Sequence, residues 1–281
     1  MAADGTQGCV GVEPLLRVER LSKSYVHRHP LLLRQHPVTA LNGVDLVVGH
    51  GCFLALVGES GSGKSTLARC IACLERPWSG SVWFHGKDLV TLGEAELRCT
   101  RPKIQLIFQD AATALNPRFS ALDLVEEPLR IQHYGSARAR RQKALEAMAQ
   151  VGLPPDCAQR FPHQFSGGQR QRLAIARALV QEPELLVLDE ALSGLDLSLQ
   201  AQIMNILFEL RQRHALTYLY ISHDLGLVRQ VADEVAVMDG GRVVERASAA
   251  ELFRSPQQPV TQALVRAVPE IACLRPVAGS W

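Results

Sequence analysis

The chain has 281 residues, 47% of them hydrophobic and 5% aromatic, which is enough to fill one large α/β core or two smaller ones. Its 30 Lys and Arg residues nearly balance 28 Asp and Glu residues, and a net charge of +2 does not indicate a nucleic-acid partner. No apolar stretch reaches the roughly 18 residues of a membrane-spanning helix, and the first residues, which include Asp4, do not resemble a secretory signal. We therefore expect a cytosolic protein that does not itself cross a membrane.

Seven cysteines are scattered along the chain without a metal-binding or disulfide pattern, which favours reduced thiols in the cytosol. Cys70 and Cys73 form half of a C-x-x-C metal pattern, but no second pair follows, so buried packing is the better interpretation. Cys273 stands alone near the end of the chain and cannot form a cluster of several thiolates by itself.

The chain begins with two segments, residues 16–22 and 39–48, whose side chains alternate as they do in strands. Between them, residues 26–38 are rich in His and Pro, a composition that favours an exposed loop over a metal site. Tyr25 is an aromatic residue at the end of the first segment, where local pattern alone indicates packing. The sequence thus predicts an N-terminal β part.

The most informative stretch follows, and it reads Gly58-Glu59-Ser60-Gly61-Ser62-Gly63-Lys64-Ser65-Thr66. The apolar run 52–57 before it predicts a buried strand, and residues 67–74 after it have apolar positions that suit a helix face. Strand, glycine loop and helix is the context in which the pattern G-x-x-x-x-G-K-[ST] binds phosphate. Backbone N–H groups would surround the phosphate oxygens, Lys64 would reach the β- and γ-phosphates, and Ser65 would ligate Mg²⁺. The chain is therefore predicted to bind a nucleoside triphosphate.

The middle of the chain changes to a helical pattern. Residues 104–108 predict a short strand that leads to Gln109, after which helices are predicted at 122–131 and 138–151. The basic run at the start of the second helix is better explained as a solvated face than as a nucleic-acid site. Because this block separates two halves of an α/β core, we expect an inserted helical subdomain.

A polar motif, Ser-Gly-Gly-Gln-Arg-Gln-Arg, begins at Ser166 and opens a helix that is predicted to reach about Val180. Ser166 can act as an N-cap, and the same hydroxyl and the free N–H groups of the first turn can bind an anion. The two interpretations are compatible, since a cap exposed at a surface is what a phosphate would use.

The second half of the core carries acidic residues where a strand ends. The apolar run 185–188 leads to Asp189 and Glu190, an arrangement that suits Mg²⁺ coordination and water activation. A further strand at 217–222 is followed by His223, which local pattern favours as a cap of the next helix.

The C-terminal part is predicted to contain a hairpin and two short helices. A helix is first expected at 199–210, and Asp239-Gly240-Gly241 is a tight-turn signal between two apolar strands. Residues 248–264 predict two helices that are separated by a break at Pro256–Pro259, and the last dozen residues resemble an unstructured end.

Taken in order, these motifs resemble those of the ATP-binding cassette (ABC) family of transport ATPases. They are the phosphate loop 58–66, Gln109, Phe165–Gln169, Leu185–Glu190, Ser193–Asp196 and His223. The likeness spans about residues 14–268, and the Ser-Gly-Gly-Gln sequence distinguishes this family from other phosphate-loop ATPases.

The resemblance implies a fold of the α/β class, a phosphate-loop NTPase core with an N-terminal antiparallel β part and an inserted α-helical subdomain. Residues 1–281 would form a single nucleotide-binding domain. Its core would occupy about 14–109 and 181–247, its helical subdomain about 110–180, and its C-terminal tail about 248–281.

The resemblance also implies that two cassettes close head to tail on two ATP molecules. Lys64 and the amides of 58–66 would hold the phosphates, and Mg²⁺ would be bound by Ser65, Gln109 and, through water, Asp189. Catalysis here consists of positioning and electrostatic stabilisation in a site that excludes water.

Further roles follow from the same resemblance. Glu190 would orient and deprotonate the attacking water, His223 would sense the γ-phosphate, and Tyr25 would stack on adenine. The partner chain's site would be completed in trans by residues of the Ser-Gly-Gly-Gln motif, namely Ser166, Gly168 and Gln169. Since Glu190 is present, we expect a competent hydrolase.

Within the family, the chain looks like the ATPases of oligopeptide, dipeptide and nickel importers. The residues that carry this likeness are Phe108–Asp110, Ala114–Arg118, Pro162–Phe165 and the tail segment Leu252–Leu264. Two departures are Gln258-Pro259-Val260 in place of His-Pro-Tyr, and Ala191-Leu192 in place of Pro-Thr, which also occurs in some nickel-type members. Cys273 is the one cysteine of the tail, so a tail cluster is not expected. We expect peptide as the solute first and nickel second.

In such importers the ATPase lies on the cytoplasmic face of the membrane. The expected partners are two permease subunits, contacted through residues 116–127 and the Gln109 loop, and a paralogous ATPase subunit or else a second copy of this chain. An external solute-binding protein would act indirectly.

Other classes that share the nucleotide motifs fit less well. Soluble ATPases of DNA repair or translation usually carry a second cassette, a zinc insertion or a coiled-coil arm. Exporters often have fused membrane spans, and regulatory modules are expected to lose Glu190 or His223. The importer interpretation therefore leads.

Overall fold

Two sheets organise the part of the chain that the structure, a computed structural model, describes: residues 13–27, 36–108 and 115–267. The first sheet has the strand order β2-β1-β4-β5 and contains β1 (Leu16–His27), β2 (His36–Val48), β4 (Ser79–Phe84) and β5 (Lys87–Asp88). The second has the order β10-β9-β3-β8-β7-β6 and contains β3 (Phe53–Val57), β6 (Ile104–Ile107), β7 (Leu185–Asp189), β8 (Thr217–Ile221), β9 (Glu234–Asp239) and β10 (Arg242–Ser248).

The helices of the described residues lie between and after these strands. They are α1 (Lys64–Ile71), α2 (Glu94–Thr100), α3 (Ala121–Ile131), α4 (Ala137–Gln150), α5 (Gly167–Leu179), α6 (Leu197–His214), α7 (Leu225–Val231), α8 (Ala249–Arg254) and α9 (Pro259–Arg266). Among these residues, no helix combines the length and the apolar composition needed to cross a bilayer.

The six-stranded sheet is the middle layer of the molecule. Its strands pair in parallel except for β10, which is antiparallel to β9. All residues of β3, β7 and β8 are buried, as expected for parallel strands that are covered on both faces and therefore read as continuous apolar runs. Because the strands are parallel, the phosphate loop, Asp189 and His223 all follow strand ends at the same edge of the sheet.

Each face of this sheet has its own hydrophobic core. Alternate residues of β3 show the division, since Leu54 and Leu56 belong to one cluster, with α1 and the four-stranded sheet, and Phe53 and Ala55 to the other. The second cluster includes residues of α3, α4 and α5, so the helical subdomain and the core share one apolar interior. The predicted inserted helices are confirmed, while the subdomain boundaries near 110 and 180 stay a prediction.

The N-terminal sheet is antiparallel, as predicted, but its first two strands are longer than the sequence pattern indicated. Tyr25 pairs with Val38 and His27 pairs with His36 in the β1–β2 ladder. The prediction of a loop over all of 26–38 is therefore wrong at both ends, and residues 28–35 lie outside the described residues. The short elements β4, β5 and α2 were not predicted.

The C-terminal helices are attached to the core by a carboxylate. The side chain of Glu245 on β10 accepts hydrogen bonds of 2.8 Å from the backbone N–H groups of Gln257 and Gln258, just before α9. Burial alone would raise the pKa of Glu245, but these donors hold it below its ordinary value. The predicted pair of short helices is confirmed, and residues 268–281 lie outside the described part.

Candidate active site

The phosphate loop between β3 and α1 is held in one conformation by two neighbouring strands. Gly58 and Gly63 have φ angles of +148° and +105°, which L side chains rarely adopt. A Cβ at Gly58 would lie 2.1 Å from the carbonyl oxygen of Met238, and a Cβ at Gly63 would lie 2.3 Å from that of Ala40. Both positions therefore require glycine for backbone conformation and for close approach.

The β9–β10 turn supports this loop directly. The N–H of Gly241 donates to the carbonyl oxygen of Ser62 at 3.1 Å, and the carbonyl of Gly241 accepts from the N–H of Asn42 at 2.9 Å. The sequence of residues 239–241 predicts only a hairpin, because no local pattern shows which other segment a turn will contact. The turn is thus a brace between β2 and the phosphate loop.

Lys64 curls back into the loop that precedes it. Its Nζ donates to the carbonyl oxygens of Gly58 at 2.9 Å and Glu59 at 2.7 Å, and lies 3.3 Å from Ser62 Oγ. The side chain is only 6% exposed, and this burial lowers the pKa of Lys64 although Glu190 and Asp189 oppose the shift. A buried ammonium in a loop of backbone dipoles is suited to an anionic ligand.

Ser65 and Asp189 meet beside the loop. The Ser65 hydroxyl donates to Asp189 Oδ1 at 3.0 Å, which joins the start of α1 to the end of β7. Asp189 is only 6% exposed; burial raises its pKa, and the hydrogen bond from Ser65 acts in the opposite direction. A hydroxyl and a buried carboxylate that converge in this way are oxygen ligands of the type that Mg²⁺ prefers, so these residues fit that ion.

No other metal-binding arrangement occurs among the described residues. They contain no group of three or more His, Cys, Asp or Glu side chains that could hold a metal ion. Burial raises the pKa of Cys70 and of Cys73 to about 11, so both thiols are protonated near neutral pH. Cys70 is buried and Cys73 is partly buried, as expected of residues that pack against the core.

Glu190 occupies a strained turn at the end of β7. Its φ is +50°, which is uncommon for a residue other than glycine and frequent at functional sites. The turn is held by three hydrogen bonds: Glu190 N–H donates to Ile221 O at 3.0 Å, and the N–H and Oγ of Ser193 donate to Glu190 O at 3.0 and 2.8 Å. Two backbone N–H groups and the Ser193 hydroxyl therefore hold the backbone of Glu190 at this edge of the sheet.

His223 faces Glu190 at the same edge of the sheet. His223 Nδ1 lies 3.7 Å from Glu190 Oε2, and the imidazole is well exposed. The cap of α7 is Asp224, whose side chain accepts from the N–H of Leu227 at 3.0 Å. The interpretation of His223 as a helix cap, which local pattern favoured, is thus wrong, and its side chain remains accessible to a ligand.

Tyr25 precedes α1 in the sequence, whereas the acidic residues follow it. In the structure, Tyr25 lies next to the phosphate loop. Its hydroxyl donates to Glu75 Oε2 and lies 3.5 Å from Thr66 Oγ1. Burial and the contact with Glu75 raise the pKa of the Tyr25 phenol, which therefore stays a donor. The remaining loop residues of the predicted site, Ser60 and Gly61, are exposed at the mouth of the loop.

The Ser-Gly-Gly-Gln motif forms a separate surface at the start of α5. Ser166 Oγ accepts from Gln169 N–H at 3.3 Å, and Gln169 Oε1 accepts from Ser166 N–H at 3.0 Å, so the two residues form a capping box. Gly168 packs closely enough on α6 that a Cβ would lie 2.9 Å from Leu199 Cδ2. Across the described residues, no hydrogen bond or ion pair joins this motif to the phosphate loop. Gln109 lies outside the described residues.

Comparisons with known proteins agree with this geometry. A family model described as ABC transporter matches residues 41–193. The chain is 43% identical over 266 residues to the dipeptide transport ATP-binding protein DppF of Escherichia coli, covering 95% of this chain and 80% of that protein. It is also 43% identical over 259 residues to the oligopeptide transport ATP-binding protein AppF of Bacillus subtilis, covering 92% and 79%.

Solved structures give the same result for the fold. The ATP-binding cassette MJ0796, in a dimeric post-hydrolysis state bound to ADP and Pi, matches with a TM-score of 0.73 and 32% identity, covering 83% of this chain and 98% of that one. The protein cbiO1 of Clostridium perfringens, described as part of the ABC transporter complex cbiONQ, matches with a TM-score of 0.74 and 27% identity, covering 87% and 92%.

Proposed function

Because this chain belongs to the ABC transporter family, we propose that it is the ATP-hydrolysing subunit of an importer for dipeptides or oligopeptides. The observation that carries the proposal is the assembly of Lys64, the Ser65–Asp189 pair and the Glu190–His223 pair at one edge of the parallel sheet. The names of the similar transport proteins favour peptide over nickel as the solute.

The residues at this edge of the parallel sheet have different roles in ATP hydrolysis. Lys64 and the loop N–H groups bind the phosphate oxygens, for which the ammonium exchanges its contacts with Gly58 and Glu59. Glu190, fixed by its turn, accepts the proton of the attacking water, and exposed His223 contacts the γ-phosphate.

Magnesium is proposed as the metal of this site. Ser65 and Asp189 would hold it together with Gln109, and it would neutralise negative charge on the phosphate oxygens. Since the described residues alone offer few ligands, the phosphates of ATP would complete its coordination.

A second chain is proposed to complete the site. The signature motif at Ser166, Gly168 and Gln169 is exposed at its start and makes no polar contact with the phosphate loop among the described residues. A helix N-terminus that is accessible to an anion could serve the γ-phosphate of a partner's ATP. MJ0796 is dimeric in its ADP-bound structure, which supports this arrangement. We propose a paralogous ATPase as the partner, with a second copy of this chain as the alternative.

We further propose that the chain works at the cytoplasmic face of the membrane with two permease subunits. Residues 116–127, at the start of the helical subdomain, are the proposed contact segment, and a solute-binding protein would act on the permeases from outside. Co-purification with permeases and a second, unlike ATPase would support the paralogous pair, and permeases with self-dimers alone would contradict it.

The solute is tested by uptake in cells of the source organism with and without this chain. Labelled dipeptide, a longer peptide and nickel are compared, and the control is the same chain carrying Lys64→Ala. We expect peptide uptake to be lost and to be restored by the unaltered chain but not by the control. Loss of nickel uptake alone would reassign the solute, and no change in any uptake would contradict the importer proposal.

A further inference from the structure

We propose that Glu75 is a positioning residue for the adenine base, because it anchors the Tyr25 hydroxyl and so fixes the ring against which the base stacks. The inference rests on the proposed function, in which Tyr25 stacks on the adenine of ATP. It adds a residue that none of the nucleotide motifs contains.

The contact between the two side chains is long-range in sequence and direct in space. Tyr25 Oη donates to Glu75 Oε2 although the residues are 50 positions apart. A phenol that donates to a carboxylate forms a charge-assisted hydrogen bond, which is stronger than a neutral one. Since a Tyr side chain has two rotatable torsions, fixing the hydroxyl end removes most of the freedom of the ring.

Glu75 is itself fixed to the helix that begins at the phosphate loop. The N–H groups of Leu74 and Glu75 donate to the carbonyl oxygen of Arg69 at 2.9 and 3.2 Å, and Cys73 turns the chain there with a φ of +55°. The Tyr25 hydroxyl also lies 3.5 Å from Thr66 Oγ1, in the first turn of the same helix. Glu75 therefore links the base end of the nucleotide site to its phosphate end.

Two cations balance the charge of this carboxylate. Arg69 Nη1 lies 3.6 Å from Glu75 Oε1, and Lys23 Nζ lies 3.8 Å from Glu75 Oε2. The Glu75 side chain is 25% exposed, so it is neither a core residue nor a freely solvated one. A charged side chain that is held among two cations and a phenol serves orientation rather than packing.

Lys23 also defines which face of the Tyr25 ring is free. Its ammonium lies over the ring at 5.6 Å from the centroid and donates to the carbonyl oxygen of Arg76 at 2.6 Å. Lys23 and Tyr25 are two positions apart on β1, and both side chains reach Glu75, so they lie on the same side of the strand. In this proposal the base stacks on the face of the ring opposite Lys23.

The test measures ATP binding in the full chain carrying Glu190→Gln, to limit turnover, by titration calorimetry. Tyr25→Phe removes only the hydroxyl, whereas Glu75→Ala removes the acceptor together with its ion pairs to Lys23 and Arg69, and we expect each to weaken ATP binding by about five- to tenfold. The double variant should be no weaker than Glu75→Ala alone, because that variant has already lost the contact with the hydroxyl. Glu75→Gln retains an acceptor oxygen and should recover most of the affinity.

Inorganic tripolyphosphate, which has no base, separates base positioning from support of the phosphate loop. Its binding should be unchanged in Tyr25→Phe and Glu75→Ala, and in the chain with Glu190 restored the KM for ATP should rise while kcat stays the same. The matched control is Glu209→Gln, which alters an exposed glutamate that pairs with Arg213 on α6.

Several outcomes would overturn the inference. They are unchanged ATP binding by Tyr25→Phe and Glu75→Ala, strictly additive losses in the double variant, or an equal loss of tripolyphosphate binding. Tyr25→Ala separates the stacking of the base on Tyr25 from the positioning of Tyr25 by Glu75. If it binds ATP normally, base stacking on Tyr25 itself is wrong; if it binds poorly while Glu75→Ala binds normally, only the role of Glu75 is wrong.

Discussion

The phosphate loop lies between buried strands and is fixed by their backbones, whereas the Ser-Gly-Gly-Gln motif lies at the surface and is capped by its own residues. At the loop, Gly63 approaches Ala40 and Gly58 approaches Met238 so closely that no side chain fits. At the motif, Ser166 and Gln169 satisfy each other's backbone groups and leave the first turn of α5 accessible. The phosphate loop is preorganised within one chain. The Ser-Gly-Gly-Gln motif has the properties of a surface that binds a ligand from outside the chain.

The largest effect is expected at Glu190, which lies at the same edge of the sheet as the phosphate loop. Glu190→Gln keeps the shape of the side chain but removes its basicity, so ATP turnover should fall by roughly 10²- to 10⁴-fold while ATP is still bound. Steady-state phosphate release and equilibrium ATP binding measure the two properties. Near-normal turnover would show that another group activates the water.

The second prediction tests whether the phosphate loop and the Ser-Gly-Gly-Gln motif of one functional site come from different chains. If this chain pairs with a second copy of itself, chains with Lys64→Ala and chains with Ser166→Arg should each be inactive alone, and an equal mixture should restore about a quarter of the activity. In a head-to-tail pair, one of the two sites then combines an intact phosphate loop with an intact motif. In a sample shown to contain mixed dimers, a mixture as inactive as its components would indicate that each chain uses its own motif, and mixing each variant with itself is the control.

The smallest effect separates the two roles of the Ser166 hydroxyl. Ser166→Ala and Ser136→Ala each remove an exposed N-cap, the second at the start of α4, where Ser136 Oγ accepts from Ala139 N–H at 3.2 Å. Each should lower the free energy of unfolding by about 0.5–2 kcal/mol.

Only Ser166→Ala is expected to lower ATP turnover as well, by about tenfold, since it alone removes a donor to the phosphate. Thermal unfolding and phosphate release on the same samples make the comparison. Equal turnover in the two variants would leave Ser166 with a structural role alone.

Sequence pattern predicted those parts of the molecule whose structure is determined by residues that are neighbours in the chain. The continuous apolar runs of β3, β7 and β8, the helix cap at Ser166 and the glycine loop all follow from neighbours in the chain. Asp189 and Glu190 were predicted at the end of a strand, and they lie at the same edge as the phosphate loop because parallel strands end together.

What sequence pattern missed depends on contacts between distant segments. Leu74 was assigned to a buried helix face but is 55% exposed, because α1 ends at Ile71 and Cys73 turns the chain away. Local pattern alone favours His223 as a helix cap, a position that its neighbour Asp224 occupies. Glu75 carried no signal, since its partner Tyr25 is 50 residues away and a single hydrogen bond has no periodicity.

The brace formed by the β9–β10 turn has a consequence for how the chain becomes functional during synthesis. The nucleotide-binding motif is complete as a sequence once residue 66 has been added, but the support of Ser62 by Gly241 requires 175 further residues (241 minus 66). A partly made chain therefore carries the motif without its brace. The braced geometry of the phosphate loop therefore requires that the β9–β10 turn has been synthesised and has packed against the loop.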